Sequence, residues 1–252
     1  MSFLLSLLLS PYHALRWLFT RLQTRLSQLK FKLINRFVSS KVKELTAPGQ
    51  ELEIEVLTIR GEGPYRAYKN APKTLAEWYD RGAAAHADKE FIVYVGSPVV
   101  RLTFADFFAQ CDAVRTNLAT RFGIAKGDRV AVLMSNIPEF AVCFVAITQL
   151  GAVCVPVNAF WEGKEIEFGL VDSGSVVLIA DDRRAARLLP DQRLERLMRD
   201  QKLRVVVVRP SPDLLQAAPK GVMDYATELL APSSSSSSSP VPPLRFPQLD
   251  TD

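Results

Sequence analysis

The sequence is poor in the side chains that catalysis and metal binding draw on most often. Its 252 residues include two histidines, His13 and His86. They are far apart, which excludes a histidine-rich metal cluster. Three cysteines, Cys111, Cys143 and Cys154, form no CxxC pair. An odd, widely spaced set in apolar stretches builds no disulfide framework and reads as buried free thiols in a reducing compartment. No GxxxxGK[ST] loop is present, and Gly61 and Gly63 lack the third glycine and the following helix of a dinucleotide fingerprint. There is no GxSxG elbow for a serine nucleophile. Acidic residues are missing before Glu44.

That last absence locates the charge. The net charge is +4, yet Arg16, Arg21, Arg25, Lys30, Lys32, Arg36, Lys41 and Lys43 all precede the first acid. The remainder is therefore slightly acidic, which argues against nucleic acid as a partner of the folded body. Hydrophobic residues at 48% and charged residues at 23% are a globular balance that supports a packed core.

Residues 3–9 are almost all apolar, but Pro11 and Arg16 follow, and the run is shorter than the ~20 residues of a membrane span. No small-residue cleavage site marks a secretory signal. Leu15, Leu18, Leu22, Leu26, Leu29, Leu33 and Phe37 then recur at three- and four-residue steps, one face of a helix with the cations mostly off it. Three readings stay open for this basic amphipathic segment: a membrane-surface helix, a mitochondrial targeting segment, or a helix packed on the protein itself.

Beyond Pro48-Gly49 the pattern predicts an extended segment over residues 51–59, a loop at Gly61, Gly63 and Pro64, and a helix from Thr74 with Glu77 in capping-box spacing. Strands follow at residues 91–95 and 99–102 around Gly96-Ser97-Pro98, then a helix capped by Thr103. After that, apolar strands at 129–134, 153–155, 176–180 and 204–208 alternate with helices at 138–150, 164–171 and 183–199. The strand at 204–208 reads as the last, with the pattern fading after Pro210. The alternation predicts an α/β domain whose mostly parallel sheet carries helices on both faces. Residues 231–243, with the serine run 233–239 and Pro240, Pro242 and Pro243, read as a flexible linker. The organisation expected is a hydrophobic and basic segment at 1–46, a domain at 50–230 and a linker at 231–252.

Few residues suggest chemistry. Asp181-Asp182 are paired carboxylates, but neighbours at a strand end point apart, and they read as a solvated strand-to-helix turn. Phe160 and Trp161 read as core, Lys164 and Glu165 as the exposed first turn of a helix. No catalytic, cofactor-binding or metal residue is assigned.

A series of motifs does carry a resemblance. Asn70-Ala71-Pro72-Lys73-Thr74-Leu75 and His86-Ala87-Asp88-Lys89-Glu90-Phe91 come first. Leu102-Thr103-Phe104-Ala105-Asp106, Gly123-Ile124-Ala125-Lys126-Gly127-Asp128-Arg129-Val130-Ala131 and Ser135-Asn136-Ile137-Pro138-Glu139-Phe140 follow. Gln149-Leu150-Gly151-Ala152-Val153-Cys154-Val155-Pro156-Val157-Asn158 and the run from Glu165-Ile166 through Asp172-Ser173-Gly174 to Asp181 complete it. In this order the series resembles the adenylate-forming (AMP-binding) superfamily, of the acyl-CoA synthetase or fatty-acid–CoA ligase type. Phe104 and Asp106 stand where that family usually has tyrosine and glutamate.

The resemblance implies the N-terminal subdomain of the adenylate-forming fold. It also implies a two-step reaction in the full-length form: a fatty or other carboxylic acid and ATP with Mg2+ give acyl-adenylate and pyrophosphate, and CoA then displaces AMP. The family's Ser/Thr/Gly-rich phosphate loop, its later aromatic-acid segment and its C-terminal lysine have no counterpart here. The resemblance therefore implies a chain that stops before that loop, binds no cofactor itself and is inactive alone. The alternatives are a non-catalytic, membrane-associated binding partner and a different enzyme on a doubly wound sheet. The expected location is intracellular and not secreted, at the periphery of the endoplasmic reticulum, peroxisome or mitochondrion through residues 1–43.

Overall fold

The computed structural model describes residues 11–232. The apolar run at 3–9 and the linker expected from 231 onward, all but its first two residues, lie outside the described residues. The chain divides into two compact units, one up to Ala71 and one from Pro72.

The first unit opens with α1 (Pro11–Leu45), 35 residues long. Leucine, lysine, arginine and glutamine favour the helix, and proline stands only at its first position, where its missing N–H costs nothing. The Thr20 and Thr24 hydroxyls donate to carbonyls one turn back, at 2.9 and 2.8 Å. An antiparallel hairpin follows, β1 (Ile54–Ile59) with β2 (Glu62–Tyr68), Ile54 opposite Tyr68. Here the structure corrects the expected loop. The turn is confined to Arg60-Gly61, both left-handed (φ 52° and 77°), as a two-residue hairpin requires. Gly63-Pro64 lie inside β2. Gly63 has φ 148°, and a Cβ there would sit 3.0 Å from the Leu57 carbonyl oxygen, so the strand needs its glycine.

The second unit begins with α2 (Leu75–His86). Thr74 accepts the Glu77 N–H at 3.1 Å, but the Glu77 carboxylate takes the Lys73 N–H at 2.9 Å, so only half of the expected capping box forms. Strands β3 (Glu90–Tyr94) and β4 (Val100–Thr103) pair antiparallel, and α3 (Phe104–Thr120) starts on a complete box between Thr103 and Asp106. Five parallel strands then form one sheet: β5 (Arg129–Leu133), β6 (Val153–Pro156), β7 (Val177–Asp181), β8 (Arg204–Val208) and β9 (Met223–Asp224), in the order β6-β5-β7-β8-β9.

Alternation within the central strands divides the core in two. Val130, Val132, Val177, Ile179, Val206 and Val208 face α3 and α4 (Pro138–Gln149). Ala131, Leu133, Leu178, Ala180, Val205 and Val207 face α5 (Gly163–Ser173) and the helices beyond β7. The chain from 182 to 200 is not the single helix expected. It forms α6 (Asp182–Ala186), a 3-10 turn at Pro190–Gln192 and α7 (Arg193–Asp200). Pro190 lacks the N–H that a continuous helix would use, and Asp191 and Gln192 take positive φ. Nor is β8 the last strand: α8 (Pro212–Ala217), β9 and a π-helix at Ala226–Leu230 follow.

Leu178 is fully buried at the middle of the sheet, whereas Phe160 is 85% exposed. Leu178→Ala is expected to cost about 2–5 kcal/mol in urea unfolding. Phe160→Ala is expected to stay within about 0.5 kcal/mol of the parent. Equal costs for the two would contradict this division of the core.

Candidate functional site

In an open parallel sheet, ligands bind outside the carboxyl ends of the strands where the strand order reverses. Here that point lies between β5 and β7, since β6 is added on one side of β5 and β7 on the other. The crevice is occupied by the protein's own groups. Asp181 ends β7, 9% exposed. Its Oδ2 accepts from the Ser135 N–H at 2.8 Å, the Ser135 hydroxyl at 3.2 Å and the Arg184 guanidinium at 2.9 Å. Its Oδ1 caps α6 by accepting the Arg184 N–H at 3.0 Å. Arg184 also donates to the Ala159 carbonyl at 3.2 Å. Arg187 donates to that carbonyl at 2.9 Å and to Trp161 O at 2.8 Å. Asp182 turns away and accepts from the Ser211 N–H and hydroxyl at 2.7 and 2.8 Å.

The two carboxylates point apart, as expected, but they are not a solvated turn. Asp181 is a partly buried junction tying the ends of β5 and β7 to the loop after β6. Sequence alone gives little sign of it, because Ser135 lies 46 residues away. Trp161 packs partly buried against the core, but Phe160 does not; it stands in solvent, which corrects its assignment to the core. Lys164 and Glu165 are exposed in the first turn of α5, where Glu165 accepts the Glu162 N–H at 2.8 Å.

Other motif residues are also structural. Asp128 accepts the Ala125 N–H at 2.8 Å, closing the turn into β5. Arg129 donates to Ser173 O at 3.0 Å and Gly174 O at 3.1 Å, satisfying carbonyls at the end of α5. Gly174 closes that helix in the left-handed region, φ 60°. Glu139 pairs with Arg209 at 2.6 Å through one oxygen, while its buried Oε2 accepts no hydrogen bond from the protein. Asn117 donates to Leu229 O and Ala231 O, both at 2.9 Å, fastening the π-helix to α3.

The resolved shifts of the three thiols run against nucleophilic use. Burial pushes the Cys111 and Cys143 thiols well above their ordinary range, and Cys154 up to about 11. Burial also raises Tyr225, beside the Cys143 thiol. Asp80 is raised by burial and by the neighbouring Asp112 carboxylate. His86 lies edge-on to the Phe104 ring, 5.6 Å between centroids. An apolar cavity of about 260 Å3 opens among Leu75, Trp78, Tyr79, Phe91, Phe104 and Phe108. A second, of about 620 Å3, lies between α7 and residues 217–220. Neither gathers a nucleophile with a base. Among the described residues no three metal-ligating side chains converge. The donors at the switch point are already used by Asp181. The described residues therefore do not fit a magnesium–nucleotide site.

The family described as AMP-binding enzyme matches residues 79–241. The long-chain-fatty-acid–CoA ligase FadD13 of Mycobacterium tuberculosis is 46% identical over 80 residues, 32% of this chain and 16% of that protein. A long-chain-fatty-acid–CoA ligase of Haemophilus influenzae is 27% identical over 116 residues, 46% of this chain and 20% of that protein. The chain thus spans a fifth or less of the length of these relatives. Among solved structures, the coronafacic acid ligase of Pectobacterium brasiliense has a TM-score of 0.54 at 19% identity, over 65% of this chain and 31% of that one, which shows a shared fold. A Rhodopseudomonas palustris protein assigned as a long-chain-fatty-acid CoA ligase has a TM-score of 0.51 at 27% identity, over 64% and 37%.

The burial of the thiols is measurable. With a pKa of about 11, Cys154 holds far less thiolate at neutral pH than an ordinary cysteine. Its alkylation at about pH 8 is expected to run roughly two orders of magnitude slower than that of a free thiol near 8.5. The same raised values have a stability consequence. These groups stay protonated in the folded chain at pH values where the unfolded chain ionises. Their contribution is complete below the unfolded pKa and is lost as pH rises toward the folded one. Unfolding free energy is expected to hold steady between about pH 7 and 8 and to fall above about pH 9. A flat profile to about pH 10 would remove the burial argument.

Proposed function

The chain belongs to the AMP-binding enzyme family and is of the acyl-CoA synthetase type; from that premise we propose that it is the N-terminal region of an ATP-dependent, AMP-forming acyl-CoA ligase. The whole protein would convert a fatty or other carboxylic acid, ATP and CoA to acyl-CoA, AMP and pyrophosphate. The observation carrying this reading is the ordered match over residues 79–241, on a parallel sheet whose motif residues serve as its fastenings. Arg129, Asp128 and Thr103 hold the strand and helix ends on which such a site would rest. In this reading their role is positional, since their hydrogen bonds all close turns and helix ends.

The same reading assigns the chemistry to residues outside this sequence. Adenylation places negative charge on transferring phosphoryl oxygens and requires fixed donors and a metal around them. No Ser/Thr/Gly-rich lysine loop occurs in the 252 residues. ATP, Mg2+ and CoA are accordingly ligands of the full-length form in this proposal. Its location is intracellular, at a membrane surface reached through α1.

Two measurements test it. The purified 252-residue chain, given ATP, Mg2+ and a long-chain fatty acid, is expected to yield no hydroxylamine-trapped acyl-adenylate above a protein-free blank. Any adenylate formed would overturn the assignment of the chemistry elsewhere. Reading the transcript past the Asp252 codon is expected to reveal the lysine-containing loop in frame. A stop codon there would favour the second reading, a non-catalytic binding partner.

A further inference from the structure

One element of the first unit carries none of the ligase motifs. Helix α1 is about 50 Å long at the usual rise per residue. From Phe19 to Glu44 every one of its residues is exposed. Phe19, Leu22, Leu26, Leu29, Leu33 and Phe37 are each at least half exposed, and at about 100° per residue they fall within an arc about 80° wide. Leu22 and Leu33, and likewise Leu26 and Phe37, stand eleven residues apart. Phe19, Leu26 and Leu33, and likewise Leu22 and Leu29, stand seven apart, so the spacing suits a partner helix as well as a flat surface, and the charges decide between them.

Cations border the row on both sides. Arg25, Lys32, Arg36 and Lys43 run along one flank, and Lys30 and Lys41 along the other. The helix contains a single acid, Glu44, beside Lys41. Long basic side chains at these positions can extend sideways while the leucines point down, keeping charge at the level of headgroups. A second copy of α1 would bring like charge against like, so charge complementarity selects an anionic surface. No described helix is long and apolar enough to cross a membrane. A further apolar row, Phe31, Ile34, Val38, Val42 and Leu45, begins about 60° round from Phe37, beyond Lys30 and Lys41, so the C-terminal turns carry apolar side chains on both sides of that basic flank.

We infer that α1 lies in the plane of a bilayer bearing anionic headgroups, its leucine row in the acyl boundary and its two basic flanks on the phosphates. This deepens the location given with the ligase reading and rests on it only for that location. Vesicle binding is read without ATP, CoA or acyl substrate. It can therefore fail while the ligase reading stands, or hold while that reading fails.

The test is flotation of the full chain with phosphatidylcholine vesicles and with vesicles about one-third phosphatidylserine. The expected result is at least tenfold tighter binding to the anionic vesicles, with most of the gain lost in high salt as the Debye length shrinks. Substituting Arg25, Lys32 and Arg36 together by glutamine should remove the preference for anionic lipid. Leu22→Ser with Leu29→Ser and Leu33→Ser should abolish binding. Val38→Ser with Val42→Ser, farther round the helix from the leucine row, should leave it within about threefold, which controls for general damage to the helix. A chain lacking residues 1–10 should bind as the parent does. The inference is overturned by equal binding to both vesicle types, by parent-like binding of the triple-serine variant, by loss of binding on removing residues 1–10, or by an α1-dependent dimer that ignores vesicles.

Discussion

Three strands that are apolar on both sides impose the architecture of the second unit. Residues 130–133, 177–180 and 205–208 are between 0 and 1% exposed, and none carries a polar side chain. Such strands are stable only with helices over both faces. Because the connection from β5 to β6 runs one way and the later ones run the other, right-handed crossovers place α4 on one face and α5 and α7 on the opposite face. Polar chemistry is thereby excluded from the middle of the sheet and collects at strand ends. Arg129 takes the amino end of β5, where it answers the carbonyls of α5. Asp181 takes the carboxyl end of β7, where it answers Ser135 and Arg184.

Most of this was legible because the deciding signals are local. Apolar runs of four or five residues between turns specify buried strands, and Thr103 with Asp106 three residues on specifies a helix start. What failed was also local, but misjudged. Gly63 and Pro64 read as a loop because strand membership depends on a partner across the hairpin, which composition does not show. Pro190 was passed over because the leucines on either side keep helical spacing through it. Strand β9 is two residues long, too short for any periodicity.

The site was legible mainly in the negative. Sparse histidine and a missing phosphate loop are readings of the sequence, and they led to no site residue being assigned. The positive features escaped because they join distant segments. Arg184 and Arg187 reach back to the loop at 159–161, and Asn117 reaches forward to Leu229. In those cases a residue type gives no hint of its partner. Phe160 escaped for the opposite reason, since an aromatic side chain beside tryptophan suggests burial while the loop turns it outward.

The strand order also governs how the chain must assemble in time. Every ladder of the five-stranded sheet is parallel, so no two neighbours can be closed by a tight turn. Strand β5, which lies between β6 and β7 in the finished sheet, is made before either neighbour, and its run from Val130 to Leu133 must wait for α4 to pass before β6 can pair with it. Its other side waits longer still, until α5 has been made and β7 arrives. Loop closure comes before the reward of pairing in each case, which makes the sheet slow to nucleate. During that interval an apolar segment is exposed without partners, the condition in which aggregation competes with folding.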